Sequence, residues 1–201
     1  MKTRFIEVEE EMFKKGIMKS ECPVQMNKLV LLEVPYKNFE GEIKHGEILV
    51  LSDLEEGVKN IFARLLEIDF RINSISLISE FEGSDRKSME ANNSSSFNCR
   101  NIEGSSRYSK HAYGVAIDIN PVQNPFISGD GTILPEGGKE YFDRDNMRMG
   151  MVTTEVIKIF AENKFSVWGG DWESIKDYHH FEIPEDMINS FLGGDALRKS
   201  R

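Results

Sequence analysis

Apolar residues recur with a helical period in several segments of the chain. Residues 5–17 have an amphipathic pattern and predict a helix. A second helix is predicted where apolar residues recur at i, i+3, i+4, i+7 and i+8, a spacing that buries one stripe: Val58, Ile61, Phe62, Leu65 and Leu66. Ser52 and Glu55 have the spacing of a capping box, which is expected to open this helix. A further helix is predicted over residues 153–163.

Segments rich in Val, Ile and Leu predict strands between these helices. Residues 29–34 and 47–51 are separated by a connection that contains glycine and charged residues, which favours an antiparallel pair. A short strand is predicted over residues 75–78. Residues 82–108 are polar and lack an apolar period, so we expect a loop there.

Size and charge limit the classes of function that the chain can have. Its 201 residues fit one domain with a substantial core. With 34 acidic and 25 basic residues, the net charge is −9, and no basic block is present. We therefore expect neither nucleic acid nor a membrane as a partner. The N-terminal twenty residues also lack the basic segment and apolar core of a secretory signal.

The two cysteines leave two interpretations open. Cys22 and Cys99 do not have Cys-x-x-Cys spacing. They can form one disulfide or remain two separate thiols.

The most informative pattern in the chain is S-x-H-x-x-G-x-A-x-D, formed by Ser109, His111, Gly114, Ala116 and Asp118. Apolar residues alternate with its last three members, which predicts a half-buried strand over residues 115–119. Asp118 then faces the side opposite the apolar residues, where Gly114 and Ala116 leave room for a ligand. His111 lies an odd number of residues before Asp118, so it must reach that side from the preceding loop. Gly114 is expected to permit the bend.

A second pattern, Asp177-x-x-His180, follows a Trp- and Gly-rich stretch. Alternation after it predicts that Phe181 and Ile183 pack inward. His180 and Glu182 then face the ligand-binding groove, whose floor is the side of the first strand that carries Asp118. A tight turn would bring the carboxylate of Asp177 and the imidazole of His180 to one water molecule.

Two imidazoles and one carboxylate are the protein ligands that a catalytic zinc ion requires, since a fourth position must stay open. A single histidine is more often an ordinary core or surface residue, but the combination of His111, Asp118 and His180 predicts a site for one Zn²⁺ ion. The chain has four histidines. Of the other two, His179 is expected to point away from the site and His45 to belong to a hairpin.

The resemblance to a known family extends beyond these residues. The matching motifs are Cys22-Pro23-Val24, His45-Gly46-Glu47, Ser88-Met89 and the segments 92–100, 111–125 and 168–172. They resemble the zinc D-Ala-D-Ala carboxypeptidase and L-alanyl-D-glutamate endopeptidase family, which includes vancomycin-resistance carboxypeptidases and phage endolysins. The resemblance covers residues 22–184. It implies an α+β fold, shared with the Hedgehog signalling domain, in which helices back a small antiparallel sheet that carries the zinc site.

The remaining residues are expected to flank this domain. Residues 1–21 are predicted to be an N-terminal helical extension. Residues 185–201 are predicted to be a short helix and a tail, with Pro184 at the start of that helix.

By this resemblance, His111, Asp118 and His180 are zinc ligands and Asp177 is the general base. Arg100 is implied to be catalytic and to bind a substrate carboxylate or the developing oxyanion, although an arginine considered alone is more often in a surface salt bridge.

Ser109 and Trp168 are further candidates for binding substrate. Each has an alternative: a loop-capping hydroxyl for Ser109 and core packing for Trp168 and Trp172. Residues 124–150 could form a lid or a surface excursion.

The predicted function is a zinc metallopeptidase that hydrolyses a bond in the peptidoglycan stem peptide, with D-alanyl-D-alanine carboxypeptidase as the first candidate. The alternatives are an L-alanyl-D-glutamate endopeptidase, a non-catalytic zinc-containing binding domain and a metal-free structural domain. The expected partner is a stem peptide or muropeptide, the expected state is a monomer, and the family acts on the cell wall outside the cytoplasmic membrane.

Overall fold

A computed structural model describes residues 2–193. The α-helices are α1 (Lys2–Lys14), α2 (Glu55–Glu67), α3 (Asp85–Glu90), α4 (Thr154–Glu162) and α5 (Glu185–Leu192). The strands are β1 (Leu29–Lys37), β2 (Ile43–Leu51), β3 (Ser74–Ile75), β4 (Asn93–Ser94), β5 (Ala116–Asp118), β6 (Phe126–Ile127), β7 (Ile133–Leu134), β8 (Val167–Trp168), β9 (Lys176–Asp177) and β10 (His180–Glu182). The predicted C-terminal tail lies outside the described residues from position 194 onward.

The predicted hairpin is confirmed, and α2 packs against it. β1 and β2 are antiparallel over nine residues each, from the pair Leu29 and Leu51 to the pair Lys37 and Ile43. The predicted capping box is wrong, because no side-chain hydrogen bond caps α2. Residues 52–54 form a 3-10 turn instead, and this turn leads directly into the helix.

The segment predicted to be one long loop contains regular structure. In residues 82–108, α3 is a six-residue helix, and its N-cap Ser84 accepts a hydrogen bond from the backbone N–H of Lys87 at 3.2 Å. A helix this short and polar shows no apolar period, which is why the pattern missed it. The strand predicted over residues 75–78 ends at Ile75, and a 3-10 turn begins at Ile78.

The N-terminal helix belongs to the same core as the rest of the domain. Val8 and Met12 of α1 are fully buried in the hydrophobic cluster that includes both strands of the hairpin. Arg4 also donates two hydrogen bonds to the Glu47 carboxylate of β2, at 2.7 and 2.6 Å. A disulfide joins Cys22 to Cys99, which resolves the open choice between one disulfide and two thiols.

The second half of the chain contains a three-stranded antiparallel sheet in the order β5-β10-β8. Phe181 of β10 is fully buried and stacks on Phe160 of α4, with ring centroids 3.9 Å apart. A second small sheet has the order β7-β6-β9. Small antiparallel sheets backed by helices confirm the predicted α+β class. Among residues 2–193, no helix is long and apolar enough to cross a membrane.

Candidate metal centre

Three side chains converge on the face of β5 and β10 that points away from α4. Asp118 and His180 are directly paired across these strands, so their side chains share a face. His180 Nδ1 lies 3.0 Å from Asp118 Oδ1, and His111 Nε2 lies 3.1 Å from Asp118 Oδ2. One ligand atom from each of the three residues lies within 4.8 Å of the other two, and all three residues are buried. The predicted set of possible metal ligands is therefore brought together.

His111 reaches this face from a 3-10 turn over Lys110–Tyr113, as its odd spacing required. Gly114 ends the turn with φ +68°, a backbone region that favours glycine. A Cβ at Gly114 would lie 2.8 Å from the backbone nitrogen of Leu51, which donates a hydrogen bond to Gly114 O. The expected bend at Gly114 is thus present, and close packing against β2 holds it.

The second nitrogen of each imidazole is engaged outside the cluster. His111 Nδ1 lies 2.6 Å from Ser96 O, and His180 Nε2 lies 2.9 Å from Glu182 Oε2. A carbonyl or carboxylate oxygen can only accept, so these nitrogens carry the hydrogens. In the neutral form that metal binding requires, the lone pairs of the two rings lie at His111 Nε2 and His180 Nδ1, the nitrogens that face Asp118. Metal-binding histidines usually have such outer partners, so the residues present fit a metal ion.

The electrostatics of the metal-free cluster agree with this fit. Burial lowers the pKa of His180, but the carboxylates of Asp118 and Glu182 outweigh burial and raise it well above its ordinary value. For Asp118, burial raises the pKa, whereas the neighbouring His111 and His179 lower it well below its ordinary value. The buried carboxylate thus remains charged and attracts positive charge, which a proton or a metal ion can supply.

His179 does not point elsewhere, so that prediction is wrong. Its ring is buried, with Nε2 at 2.9 Å from Asp177 Oδ1 and at 3.9 Å from Asp118 Oδ2. Strand alternation failed here because residues 178–179 form the turn between β9 and β10. Burial lowers the pKa of His179, but the charges of Asp177 and Asp118 outweigh it and raise that pKa to about 9.

Arg100 lies on a segment that also supports the turn of His111. Its Nη2 donates to Asp85 Oδ2 at 2.7 Å, and Arg100 O accepts from the backbone N–H of Ser109. Its buried Nε has no hydrogen-bond partner among residues 2–193. The salt bridge with Asp85 matches the ordinary interpretation of this arginine, and its role toward a substrate stays a prediction.

The two other predicted substrate-binding residues have packing roles in the structure. The Ser109 hydroxyl caps the 3-10 turn by accepting from the backbone N–H of His111 at 3.3 Å. Trp168 pairs with Phe181 across the sheet, so both rings lie on the face opposite His180. This placement does not support a substrate-binding role for Trp168.

Trp172 is the tryptophan beside the cluster. Its ring centroid lies 5.5 Å from that of His180. The sequence contained no signal that separated it from Trp168, because the pairing of β8 with β10 decides which ring faces the site.

The N-terminal part of residues 124–150 is regular structure, so it is neither a detached lid nor an irregular surface excursion. β6 and β7 form a hairpin, and β6 pairs with β9 so that Phe126 lies opposite Asp177. Arg144 donates to Gln123 O and to Val152 O, at 3.1 and 2.8 Å, which ties together the two ends of the segment.

Comparison with known proteins gives a family match. Residues 103–183 match a family model described as D-alanyl-D-alanine carboxypeptidase. No curated protein and no solved structure matches the chain. The matched stretch includes all three possible metal ligands and Asp177, whereas Arg100 lies before it. The predicted resemblance is therefore confirmed over residues 103–183, which match the model of the D-alanyl-D-alanine carboxypeptidase family, whereas the resemblance of residues 22–102 stays a prediction.

Proposed function

We propose that this protein is a zinc metallopeptidase that hydrolyses a peptide bond in the peptidoglycan stem peptide, and that the terminal D-alanine is its first candidate target. The observation that carries the proposal is the buried cluster of His111, Asp118 and His180, in which both imidazoles have their outer nitrogens engaged. The match of residues 103–183 to a peptidase family supports the same reaction class.

The ligand chemistry favours zinc. Two neutral imidazoles and one carboxylate leave a net charge of about +1 with Zn²⁺ and leave a coordination position free. When bound, a zinc ion supplies Lewis acidity and activates water near neutral pH.

The chain's own residues would handle the protons and the substrate. Asp177 takes the proton from the attacking water and later delivers it to the leaving amine, a general acid-base contribution of roughly 10² to 10⁴ in rate. Arg100 has a planar set of N–H donors that suits the substrate carboxylate or the oxyanion. Trp172, which lies beside His180, is the aromatic side chain best placed to line the groove.

Asp177 also favours catalysis over a binding domain. A site that only binds zinc needs no further carboxylate, yet Asp177 contacts His179 at 2.9 Å, and His179 adjoins Asp118. The arrangement therefore supports an enzyme.

We propose that the protein acts outside the cytoplasm. The disulfide between Cys22 and Cys99 is of the kind that persists in oxidising compartments, and the family to which the chain is similar acts on the cell wall.

Mass spectrometry of the products tests the proposal. Zinc-loaded protein is incubated with a defined pentapeptide stem and with its tetrapeptide. Loss of one alanine from the pentapeptide supports the carboxypeptidase, and release of a peptide that begins at D-Glu identifies the endopeptidase. Cleavage of neither by protein with bound zinc would refute the proposed function.

Variants separate catalysis from metal binding. Asp177→Ala should lower turnover roughly 10²- to 10⁴-fold and keep the metal, whereas His180→Ala should lose both. His45→Ala is the matched control, because His45 is exposed on β2. Full activity of Asp177→Ala would contradict the assigned base.

A further inference from the structure

His179 has a ring whose orientation is fixed from the side opposite Asp177. Its Nδ1 lies 2.7 Å from the backbone oxygen of Asn124, and its own carbonyl accepts a hydrogen bond from Ile119 N at 3.0 Å. Asn124 is itself fully buried, and its side chain donates to Ile119 O and Gly150 O. Both the backbone and the imidazole of His179 are therefore held before any substrate binds.

This fixed ring directs one atom at the proposed base. Because Asn124 O can only accept, Nδ1 carries a hydrogen, and Nε2 is the nitrogen that lies 2.9 Å from Asp177 Oδ1. This is a close polar contact and not a hydrogen bond, since the buried Oδ1 has no hydrogen-bond partner among residues 2–193. Among residues 2–193, the carboxylate of Asp118 also lies near Nε2, with Oδ2 at 3.9 Å. Asp177 is therefore the closer carboxylate.

The main chain of Asp177 is constrained independently. It pairs with Phe126 across β9 and β6. A Cβ on Gly169 would lie 2.5 Å from Asp177 O and 2.8 Å from Asp177 Cβ, so this glycine packs directly against it. Once the backbone is held in this way, rotation of the carboxylate is the main freedom that remains to Asp177.

We infer that His179 is a positioning residue for Asp177: the close approach of its Nε2 to Oδ1 limits rotation of the carboxylate and leaves Oδ2 for the reacting water. The inference rests on the proposed function, since it assigns a task to the base of that reaction. A small misplacement of a catalytic group is enough to lower a rate by about 10²-fold, which sets the scale of the effect.

Kinetics of two substitutions test the inference in the zinc-loaded protein. His179→Met removes the ring nitrogens and should lower kcat roughly 10²-fold, with KM changed by less than about threefold and zinc retained. His179→Gln places an amide N–H near the position of Nε2 and should recover kcat to within about tenfold of the wild type. His45→Met and His45→Gln are the matched controls at an exposed histidine and should leave both constants unchanged.

A double substitution distinguishes positioning from a general loss of structure. If His179 acts only through Asp177, adding His179→Met to Asp177→Ala should cost no further activity, because residues that act as a unit are not additive. An additional loss of about 10²-fold in that background would overturn the inference, and so would a full kcat in His179→Met.

A measurement that does not depend on turnover tests this inference separately from the proposed function. Heteronuclear NMR of the imidazole nitrogens in the metal-free protein should show a hydrogen on Nδ1 and a His179 Nε2 signal that shifts in Asp177→Asn. An unchanged Nε2 signal would overturn the contact. If the wild type cleaves no stem peptide while Nε2 responds to Asp177→Asn, the proposed function fails and the contact stands.

Discussion

Glu182 should control metal affinity although it is not one of the ligands. It is buried, and its Oε2 lies 2.9 Å from His180 Nε2. Replacing it by alanine leaves a buried N–H without an acceptor and frees the ring to take the other tautomer, in which Nδ1 carries the hydrogen. A hydrogen bond to a charged group contributes about 1.5–3 kcal/mol. A loss of that size corresponds to a roughly 10- to 100-fold weaker metal complex, as is typical for outer partners of metal-binding histidines.

Competition with a chromophoric chelator at fixed pH measures this change directly. The series is wild type, Glu182→Ala, Glu182→Gln and Glu33→Ala. Glu182→Gln keeps an acceptor oxygen and should lose less affinity than Glu182→Ala. Glu33 is an exposed glutamate on β1, so its replacement should leave the zinc dissociation constant unchanged.

A wild-type dissociation constant in Glu182→Ala would refute the reasoning about this site. It would mean that the hydrogen on Nε2 is not held by Glu182, or that Nδ1 is not the nitrogen that binds the metal. A loss in Glu33→Ala equal to that in Glu182→Ala would show instead that affinity follows net charge rather than the tautomer of His180.

Three further predictions address the surroundings of the site. Replacing Cys22 and Cys99 by serine removes a disulfide that spans 77 residues. This should lower the free energy of unfolding, measured by urea denaturation, by about 4 kcal/mol. Raising the pH of the metal-free protein from about 6 to about 9.5 should remove a contribution of about 3 kcal/mol from His179 to the free energy of unfolding. The pKa of His179 is raised from 6.5 to about 9, so its contribution is fully present below pH 6.5 and is lost as the pH passes 9. The His179→Gln variant, unfolded in urea across the same range, should lack this component. Asp85→Asn removes the ion pair that holds Arg100 and should raise KM for stem peptides about fivefold with kcat little changed, since a partly exposed pair contributes up to about 1 kcal/mol; an unchanged KM would count against the substrate role of Arg100.

Much of the metal cluster could be predicted because neighbouring residues fix its faces. If residues 115–119 and 180–183 are strands, alternation places Asp118 and His180 on the faces opposite the apolar side chains. The odd spacing of His111 then required a bend, which the structure places at Gly114. These inferences need only local geometry, and they were correct.

Features that depend on contacts between distant segments could not be predicted in the same way. The face of Trp168 follows from its pairing with Phe181, and the position of the His179 ring follows from a turn that alternation does not describe. The helix α3 depends on one capping serine rather than on apolar periodicity. In each case the deciding partner is remote in sequence or carries no periodic signal.

The atoms that fix the proton positions show why the sequence predicts the ligand set but not the orientation of each ring. Ser96 O and Asn124 O orient the rings of His111 and His179, and both are backbone carbonyls that almost any residue type could supply. Ring orientation at these two histidines is therefore determined by the path of the chain and not by residue identity. Glu182 is the exception, because a side chain provides that contact. For this reason it is the outer partner that substitution can remove cleanly, and metal affinity in Glu182→Ala is the most direct measure of what the surroundings add to the ligand set.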